Sequence, residues 1–287
     1  MVSSSPWILL SVVNARVMRS LVRTTFFVSF ILGAVAGLFA QNGGSANTAA
    51  LPFAPGEELS YEGKLSKSLL RGITIADMTF TVSRVSPDAN FLVNADARSK
   101  GTLTKLFRFS FEQEIVSRFD PHDLKAYSTK KRDVQKERIR LSEAVFDYDE
   151  NQVTYTETDP NQPMRPPRKI ASDIKPETHD LISAIYRLRT VPLVVGSSFE
   201  LTVSDSGLVY RVPVRVVRKE RQKTAIGRVN CFRVEPAVFG PGRLIEGEGS
   251  MIIWITDDAR RIPVRSQVNA SIGKIEIRIK SAKNVGS

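Results

Sequence analysis

The stretch Lys274-Ile275-Glu276-Ile277-Arg278-Ile279-Lys280 alternates apolar and charged side chains without a fault. Successive side chains of a β-strand point to opposite faces, so the isoleucines share one face and the charges share the other. This pattern predicts an antiparallel strand with one buried and one solvated face. The same period of two dominates the chain from residue 57 onward.

A second alternating row is interrupted by a proline. Tyr210, Val212, Val214 and Val216 share one phase, and Pro213 lies in the other. Because proline has no amide donor, we expect this strand to lie at a sheet edge or to bulge at Pro213.

Within another predicted strand the apolar phase changes. Ile73 and Ile75 are odd-numbered, whereas Ala76 and Met78 are even-numbered, and a β-bulge near Ala76 and Asp77 would restore one buried face. Further strands are predicted at residues 59–65, 91–97, 106–116, 124–129, 139–148, 153–156, 199–203, 228–234, 251–255 and 264–271. The chain is therefore predicted to be mainly β, with a large antiparallel sheet that is curved or partly closed, like a barrel.

One segment has a helical period instead. Leu181, Ile182, Ile185 and Leu188 are spaced as on one face of a short amphipathic helix. The proline-rich residues near 159–176 before it predict a long loop. We expect a single β-rich domain over residues 53–283 with one short helix, rather than two β subdomains divided by the loop.

The N-terminus has the three parts of a secretory signal peptide. Arg16, Arg19 and Arg23 precede an uncharged apolar run over residues 24–39, which ends at Ala40 before a polar stretch. A signal peptide over residues 1–40 and a flexible tether over residues 41–52 are therefore predicted. This predicts an exported, periplasmic protein.

Two alternatives at this terminus stay open. If the apolar run is not removed, it would tether the protein to the inner membrane. The segment that begins at Met18 would also form a signal peptide by itself, so Met18 is a second candidate start of translation.

The composition excludes several kinds of site. The 287 residues include 41 Lys and Arg, 30 Asp and Glu, two His and a single Cys. One cysteine cannot form an intrachain disulfide or a Cys-based zinc site, and His122 and His179 have no metal-ligand spacing. No metal and no cofactor is predicted. Cys231 is interpreted as a small core residue, with an intermolecular disulfide as the alternative.

Three motifs in order resemble a known family. They are Phe53-Ala54-Pro55-Gly56-Glu57-Glu58-Leu59-Ser60-Tyr61, His179-Asp180-Leu181-Ile182-Ser183-Ala184-Ile185-Tyr186-Arg187-Leu188-Arg189, and Trp254-Ile255-Thr256-Asp257-Asp258-Ala259-Arg260-Arg261-Ile262-Pro263. Together with Gly273 they resemble the bacterial exported family DUF3108, whose function is unknown. The resemblance implies a signal peptide and a β-rich envelope domain. It implies no activity and no catalytic residues.

An aromatic row is the candidate ligand site. Phe107, Phe109 and Phe111 share one face of the strand predicted at 106–116. The ordinary interpretation is core packing. The functional hypothesis is that the row lines a cavity of a partly closed sheet and binds an acyl chain or a similar apolar ligand.

Basic residues form candidate contacts with anionic surfaces. The clusters contain Lys130, Lys131 and Arg132, residues 136–140, residues 165–169, and residues 218–223, which include Arg218 and Lys219. A solvated face is the ordinary interpretation. In an exported protein the available anions are phospholipid headgroups, lipopolysaccharide and acidic wall polymers, so peripheral membrane contact is one hypothesis. Nucleic acid is not an expected partner, because the signal peptide predicts export.

No catalytic residues are predicted. Asp257 and Asp258 are adjacent in a turn and point in different directions, and aspartate is favoured in turns. His179, Asp180 and Ser183 include the residue types of a hydrolase triad, but no Gly-x-Ser-x-Gly motif exposes a nucleophile. Asp180 is expected near the helix start, where its carboxylate can accept backbone amides.

The function predicted from these features is non-catalytic. We expect an exported envelope protein that binds or carries a lipidic or polymeric envelope component, an anionic glycan or a protein partner. The alternatives are a purely structural or assembly role, and a hydrolase of envelope polymers that uses carboxylates such as Asp257 or Asp258. The sequence predicts no oligomeric state.

Overall fold

The computed structural model describes residues 51–84, 86 and 89–286. The signal peptide predicted over 1–40 and most of the tether predicted over 41–52 lie outside these residues. The prediction for the last two tether residues is wrong. Leu51 packs against the core, and the Pro52 carbonyl accepts a hydrogen bond from Arg189, so both residues belong to the folded domain.

Alternating sequences form one sheet of fifteen strands. The strands are β1 (Glu58–Lys67), β2 (Leu70–Arg84), β3 (Phe91–Ser99), β4 (Phe111–Phe119), β5 (Ala126–Gln135), β6 (Arg138–Asp147), β7 (Gln152–Thr158), β8 (Arg168–Asp173), β9 (Thr178–Asp180), β10 (Ser198–Asp205), β11 (Leu208–Thr224), β12 (Gly227–Pro236), β13 (Gly249–Thr256), β14 (Pro263–Ala270) and β15 (Gly273–Lys283). Their order runs from β8 down to β1 and continues from β15 down to β9. All neighbours are antiparallel except β9 and β10, so the sheet is mixed.

The sheet is curled but not closed. Gly207, in the turn between β10 and β11, lies so close to β7 that a Cβ there would be 2.6 Å from the Cβ of Tyr155. The two ends of the sheet thus approach each other, yet no strand pair of the described residues joins β8 to β9. The mainly β, curved fold is confirmed.

A β-bulge in β2 lies where the change of phase predicts it. Gly63 pairs with Ala76 and Lys64 with Thr74, so Ile75 is the extra residue. Ile75 and Ala76 are both buried, and the bulge returns the following residues to the buried face.

The expectation for Pro213 is wrong. β11 has β10 on one side and β12 on the other, and its irregularity lies between Val216 and Arg218. The Pro213 carbonyl accepts a hydrogen bond from the amide of Ala237, just beyond the end of β12. Because the N and C=O of one strand residue face the same neighbour, the missing amide also faces the end of β12, and the ladder with β10 is intact.

The described residues contain two helices instead of the one predicted. Helix α1 (Gly101–Phe107) connects β3 to β4, and helix α2 (Leu181–Thr190) is the predicted amphipathic helix. The strand predicted at 106–116 therefore begins only at Phe111. Arg108 has a left-handed φ of 51°, which ends the helix and separates Phe107 from the strand.

The predicted loop near 159–176 contains a strand. β8 pairs with β7 from Arg168 onward, because the prolines end at residue 167 and leave the next amides free to donate. The irregular part before it is therefore limited to residues 159–167.

Helix α2 fills the interior of the curl. Seven of its ten residues are buried, and they contact strands from both halves of the sheet. Among the described residues, no helix is long and apolar enough to cross a membrane.

Candidate functional site

Helix α2 begins at a fully satisfied N-cap. The amide of Ser183 donates to Asp180 Oδ1 at 2.7 Å, and the amide of Asp180 donates to Ser183 Oγ at 3.0 Å. This reciprocal capping box confirms that Asp180 lies at the helix start. The other carboxylate oxygen of Asp180 accepts hydrogen bonds from the hydroxyls of Ser117, at 2.6 Å, and Thr129. Asp180 therefore ties the helix to β4 and β5.

At the other end of α2, Arg189 forms a buried ion pair with Glu57. Its Nη1 lies 2.5 Å from Glu57 Oε1 and its Nη2 lies 2.7 Å from Oε2, and both side chains are 0% exposed. Nη2 also donates to the carbonyls of Pro52 at 2.6 Å and Arg260 at 3.1 Å. One guanidinium therefore connects the N-terminal segment, the helix and the turn between β13 and β14. We call these contacts the Arg189 clamp.

Aromatic rings enclose the Arg189 clamp. The rings of Phe53 and Tyr186 each have their centroid 5.2 Å from the guanidinium carbon. Burial raises the pKa of the Tyr61 and Tyr186 hydroxyls above the usual value, and the Glu57 carboxylate adds to this effect. Burial alone would lower the pKa of Arg189, but the hydrogen bonds and charge of Glu57 raise it, so the guanidinium stays charged.

An apolar cavity of about 70 Å³ lies between α2 and the sheet, beside the clamp. It is partly open to solvent. The sheet contributes Leu59, Tyr61, Met78, Met251, Ile253 and Ile277, and the helix contributes Ile185, Leu188 and Arg189. The Nε–H of Arg189 has no acceptor among the described residues. The cavity surface is mostly apolar, and Arg189, Arg265 and Ser266 are its polar or charged lining residues apart from the two tyrosines.

A smaller polar cavity of about 40 Å³ lies at the N-terminal end of α2. Asp180, Asp205, Lys131 and Ser204 are among the residues that line it. Burial raises the pKa of Asp205, and the positive charge of Lys131 acts in the opposite direction. The Ser204 hydroxyl is buried and has no partner among the described protein atoms. The cavity is large enough for ordered water, which would satisfy these groups.

The three sequence motifs converge on this interior. Glu57 of the first motif, Arg189 of the second and the Arg260 carbonyl of the third meet in the Arg189 clamp. A family model for proteins of unknown function, DUF3108, matches residues 59–280. The chain belongs to the DUF3108 family.

A solved structure shows the same fold as this DUF3108 chain. A β-barrel-like protein of another family of unknown function, DUF1849, from Brucella abortus aligns with a TM-score of 0.54 at 11% identity, covering 80% of this chain and 98% of its own.

Two more distant structures have lower scores. An exported-protein candidate with a YmcC-like fold from Bacteroides fragilis has a TM-score of 0.34 at 11% identity, covering 87% of this chain and 100% of its own. A lipoprotein candidate from Parabacteroides distasonis has a TM-score of 0.29 at 12% identity, covering 81% and 97%. None of the curated proteins matches the DUF3108 chain.

The aromatic row predicted as a ligand site does not exist as a row. Phe107 ends α1, Phe109 is buried in the connection, and Phe111 begins β4. The rings of Phe109 and Phe111 are 6.3 Å apart and pack in the core. None of the three lines the apolar cavity.

The first predicted basic cluster lies on β5, and its three cations line one open groove on the sheet. Lys131 lines the polar cavity. Lys130 pairs with Glu143 at 3.5 Å, and Arg132 lies 3.9 Å from Glu114. Lys130 and Arg132 share one face of β5, and each lies near an acidic residue of a neighbouring strand that partly compensates its charge.

Arg218 and Lys219, the first two cations of the predicted cluster at residues 218–223, are matched by acids. Arg218 pairs with Glu220 at 2.8 Å, and Lys219 pairs with Asp257 at 2.7 Å. These two side chains also point to opposite faces of β11.

The candidate catalytic residues have structural partners. The Asp258 carboxylate accepts hydrogen bonds from Thr256 Oγ1, at 2.8 Å, and from Arg260, which supports the turn interpretation. His179 Nδ1 lies 2.8 Å from the Leu124 carbonyl, and burial lowers the pKa of His179 to about 4, so its ring is neutral at pH 7.

Cys231 is a buried, free thiol, as predicted. Among the described residues, no cluster of three or more His, Cys, Asp or Glu could hold a metal ion.

Sequence reasoning missed both members of the clamp, although each had a signal. Glu57 has the same odd phase as the buried residues Leu59 and Tyr61 of β1. Arg189 lies four residues after Ile185, on the same stripe of α2. A charged residue in phase with an apolar face marks a buried charge that needs a partner.

Proposed function

We propose that this DUF3108 protein is an exported envelope protein that binds, without chemical turnover, the acyl chain of an envelope lipid or fatty acid. The observation that carries the proposal is the mostly apolar cavity beside α2, which is lined in part by Arg189, a buried residue whose Nε–H has no acceptor among the described residues. An apolar wall selects a hydrocarbon chain, and one buried donor selects a ligand with an oxygen acceptor, such as a carboxylate or an ester.

The cavity walls can adapt to a ligand. Drug-sized ligands occupy roughly 300 Å³ or more, so a cavity of about 70 Å³ must widen to take an acyl chain. Met78 and Met251 face the cavity from β2 and β13. Unbranched methionine side chains change rotamer easily and fit irregular ligands, so they supply this adaptability.

A binding role agrees better than a catalytic role with the contacts of the two candidate catalytic carboxylates. The carboxylates of Asp257 and Asp258 are held by Lys219 and Arg260 in a turn, away from the cavity lining. The predicted signal peptide supports export, and an exported protein would meet envelope lipids.

Native mass spectrometry of the protein purified from an envelope fraction tests the proposal. We expect an added mass that is released on denaturation and identified as an acyl-containing molecule. Met251→Trp fills the cavity and is expected to abolish this mass. Met164→Trp is the matched control, because Met164 is 93% exposed in the proline-rich loop.

A second variant keeps the test decisive if Met251→Trp does not fold. Ile185→Trp enlarges a half-buried side chain at the cavity wall without entering the fully packed core. A ligand-free wild-type protein, or unchanged release from folded Met251→Trp or Ile185→Trp, would reject the proposal.

A further inference from the structure

The distal half of the β11–β12 hairpin, residues 219–230, extends beyond its pairing with β13. β12 pairs with β13 only from Cys231 to Val234, whereas β11 and β12 continue to pair with each other as far as Thr224 and Gly227. Residues 219–230 therefore form a two-stranded ribbon.

One face of this ribbon is attached to the domain. Glu220 accepts a hydrogen bond from Trp254 Nε1, and the side-chain oxygen of Gln222 accepts one from Arg265 at 3.1 Å. Ile226 and Val229 pack against the main core. These contacts fix the orientation of the ribbon, so its other face points to solvent.

The solvent face carries a cluster of cations without acids. Lys223 and Arg228 are directly opposite each other in the register, and Arg221 lies two residues before Lys223 on the same face. All three are exposed. Within the described part of the chain, no carboxylate lies within ion-pair distance of any of them. We call Arg221, Lys223 and Arg228 the basic ribbon face.

This arrangement opposes folding stability. Like charges directly opposite each other in an antiparallel pair are destabilising. Other cations of β11 have acidic partners, since Arg211 pairs with Glu200 at 2.5 Å and Arg215 pairs with Glu235 at 3.1 Å. An uncompensated cluster on an oriented ribbon is expected where an external anion supplies the missing charge.

We propose that the basic ribbon face docks the protein on a membrane surface rich in anionic phospholipid. Same-face residues along a strand are roughly 7 Å apart, so the cations form an extended, exposed row. The row lies exposed on a two-stranded ribbon, so it is suited to the spread charge of a headgroup layer rather than to one discrete anion. The proposal does not depend on the acyl-chain cavity.

Vesicle co-sedimentation of the full chain tests this assignment. We compare binding to two kinds of vesicle, one of pure phosphatidylcholine and one of phosphatidylcholine with about 30% phosphatidylglycerol. About a third of anionic lipid is enough to give the vesicle a negative surface potential. Each Lys or Arg near such a surface contributes about 1 kcal/mol, which is a factor of about five in binding. The triple variant Arg221→Ala, Lys223→Ala, Arg228→Ala is therefore expected to bind anionic vesicles about a hundredfold more weakly.

A matched control separates the basic ribbon face from net charge. Lys130→Ala, Arg211→Ala, Arg215→Ala removes the same number of cations from ion-paired positions. The control is expected to keep most of its vesicle binding. All variants retain the same N-terminal segment, so any membrane affinity of that segment cancels in the comparison.

A charge reversal gives an independent readout. Arg228→Glu places a carboxylate opposite Lys223, so the melting temperature is expected to rise while binding to anionic vesicles falls about 25-fold. Equal losses in the control, unchanged binding of the triple variant, or wild-type binding to a soluble polyanion such as heparin but not to anionic vesicles would overturn the proposal.

Discussion

Replacing Arg189 by methionine is expected to lower the free energy of unfolding by about 3–5 kcal/mol, because it leaves the Glu57 carboxylate buried without a counter-ion. Both side chains of the pair are 0% exposed, so solvent does not screen the loss. Domains of this kind are typically stable by about 5–15 kcal/mol, so one substitution removes a large part of the total. Methionine keeps an unbranched apolar chain in the space of the arginine stem.

The double variant Arg189→Met, Glu57→Met isolates the ion pair. Removing both charges avoids a buried unpaired carboxylate and leaves mainly the carbonyls of Pro52 and Arg260 without their donor, at about 1–3 kcal/mol each. We therefore expect the double variant to be more stable than Arg189→Met alone.

Urea unfolding followed by circular dichroism measures these differences. Arg211→Met is the control, because Arg211 is 56% exposed in its pair with Glu200 and its loss should cost at most about 1 kcal/mol. A loss below about 1 kcal/mol for Arg189→Met, or a double variant whose loss equals the sum of both single losses, would refute the reasoning.

Three further predictions concern protonation, backbone strain and thiol access. The pKa of His179 is about 4 in the folded protein and about 6.5 in the unfolded protein, so the unfolded state binds more protons between these values. The free energy of unfolding should therefore fall by about 2 kcal/mol between pH 7 and pH 5. His179→Gln should remove this pH dependence, whereas the control His122→Gln, at an exposed histidine, should retain it. Gly273→Ala should lower the free energy of unfolding, measured by thermal or urea unfolding, by about 1–3 kcal/mol, because φ is +126° and a Cβ would lie 2.6 Å from the Ser66 carbonyl oxygen. Gly227→Ala, where φ is +111° and no atom lies near the new Cβ, measures the backbone strain alone. Burial raises the pKa of the Cys231 thiol to about 12, so a thiol reagent should modify it only at the rate of unfolding, and rapid modification of the native protein would contradict this burial.

Local patterns predicted the parts of the fold that depend on neighbouring residues. The alternation at 274–280 gave a correct β15, since a strand with one buried face needs its apolar residues in one phase. The Asp180 cap and the β2 bulge were also predictable, because each depends on residues that are close together in the chain. Alternation failed at Phe107 and Phe109, because three aromatic residues in phase are too few to distinguish a strand from a helix end followed by a left-handed residue.

The candidate site was less predictable than the fold. The apolar face of α2 was visible, but the side chains that complete the cavity come from β1, β2, β13 and β15. Pairing of the exposed cations also depends on the register of the strands. Lys130 and Arg132 share one face of β5 and each lies near an acidic residue of a neighbouring strand, so a basic run in a strand does not describe a basic surface.

The sequence by itself determined the mainly β class, the helix with its cap and the predicted exported character, since periodicity, capping and signal peptides depend on residues close together in the chain. Only the tertiary structure decided which charges meet. Glu57 and Arg189 are 132 residues apart, and the curl of the sheet brings them together with the Arg260 carbonyl. The physical reason is that a buried charge must find its partner in three dimensions, and the strand order and register that deliver this partner result from the packing of the whole sheet.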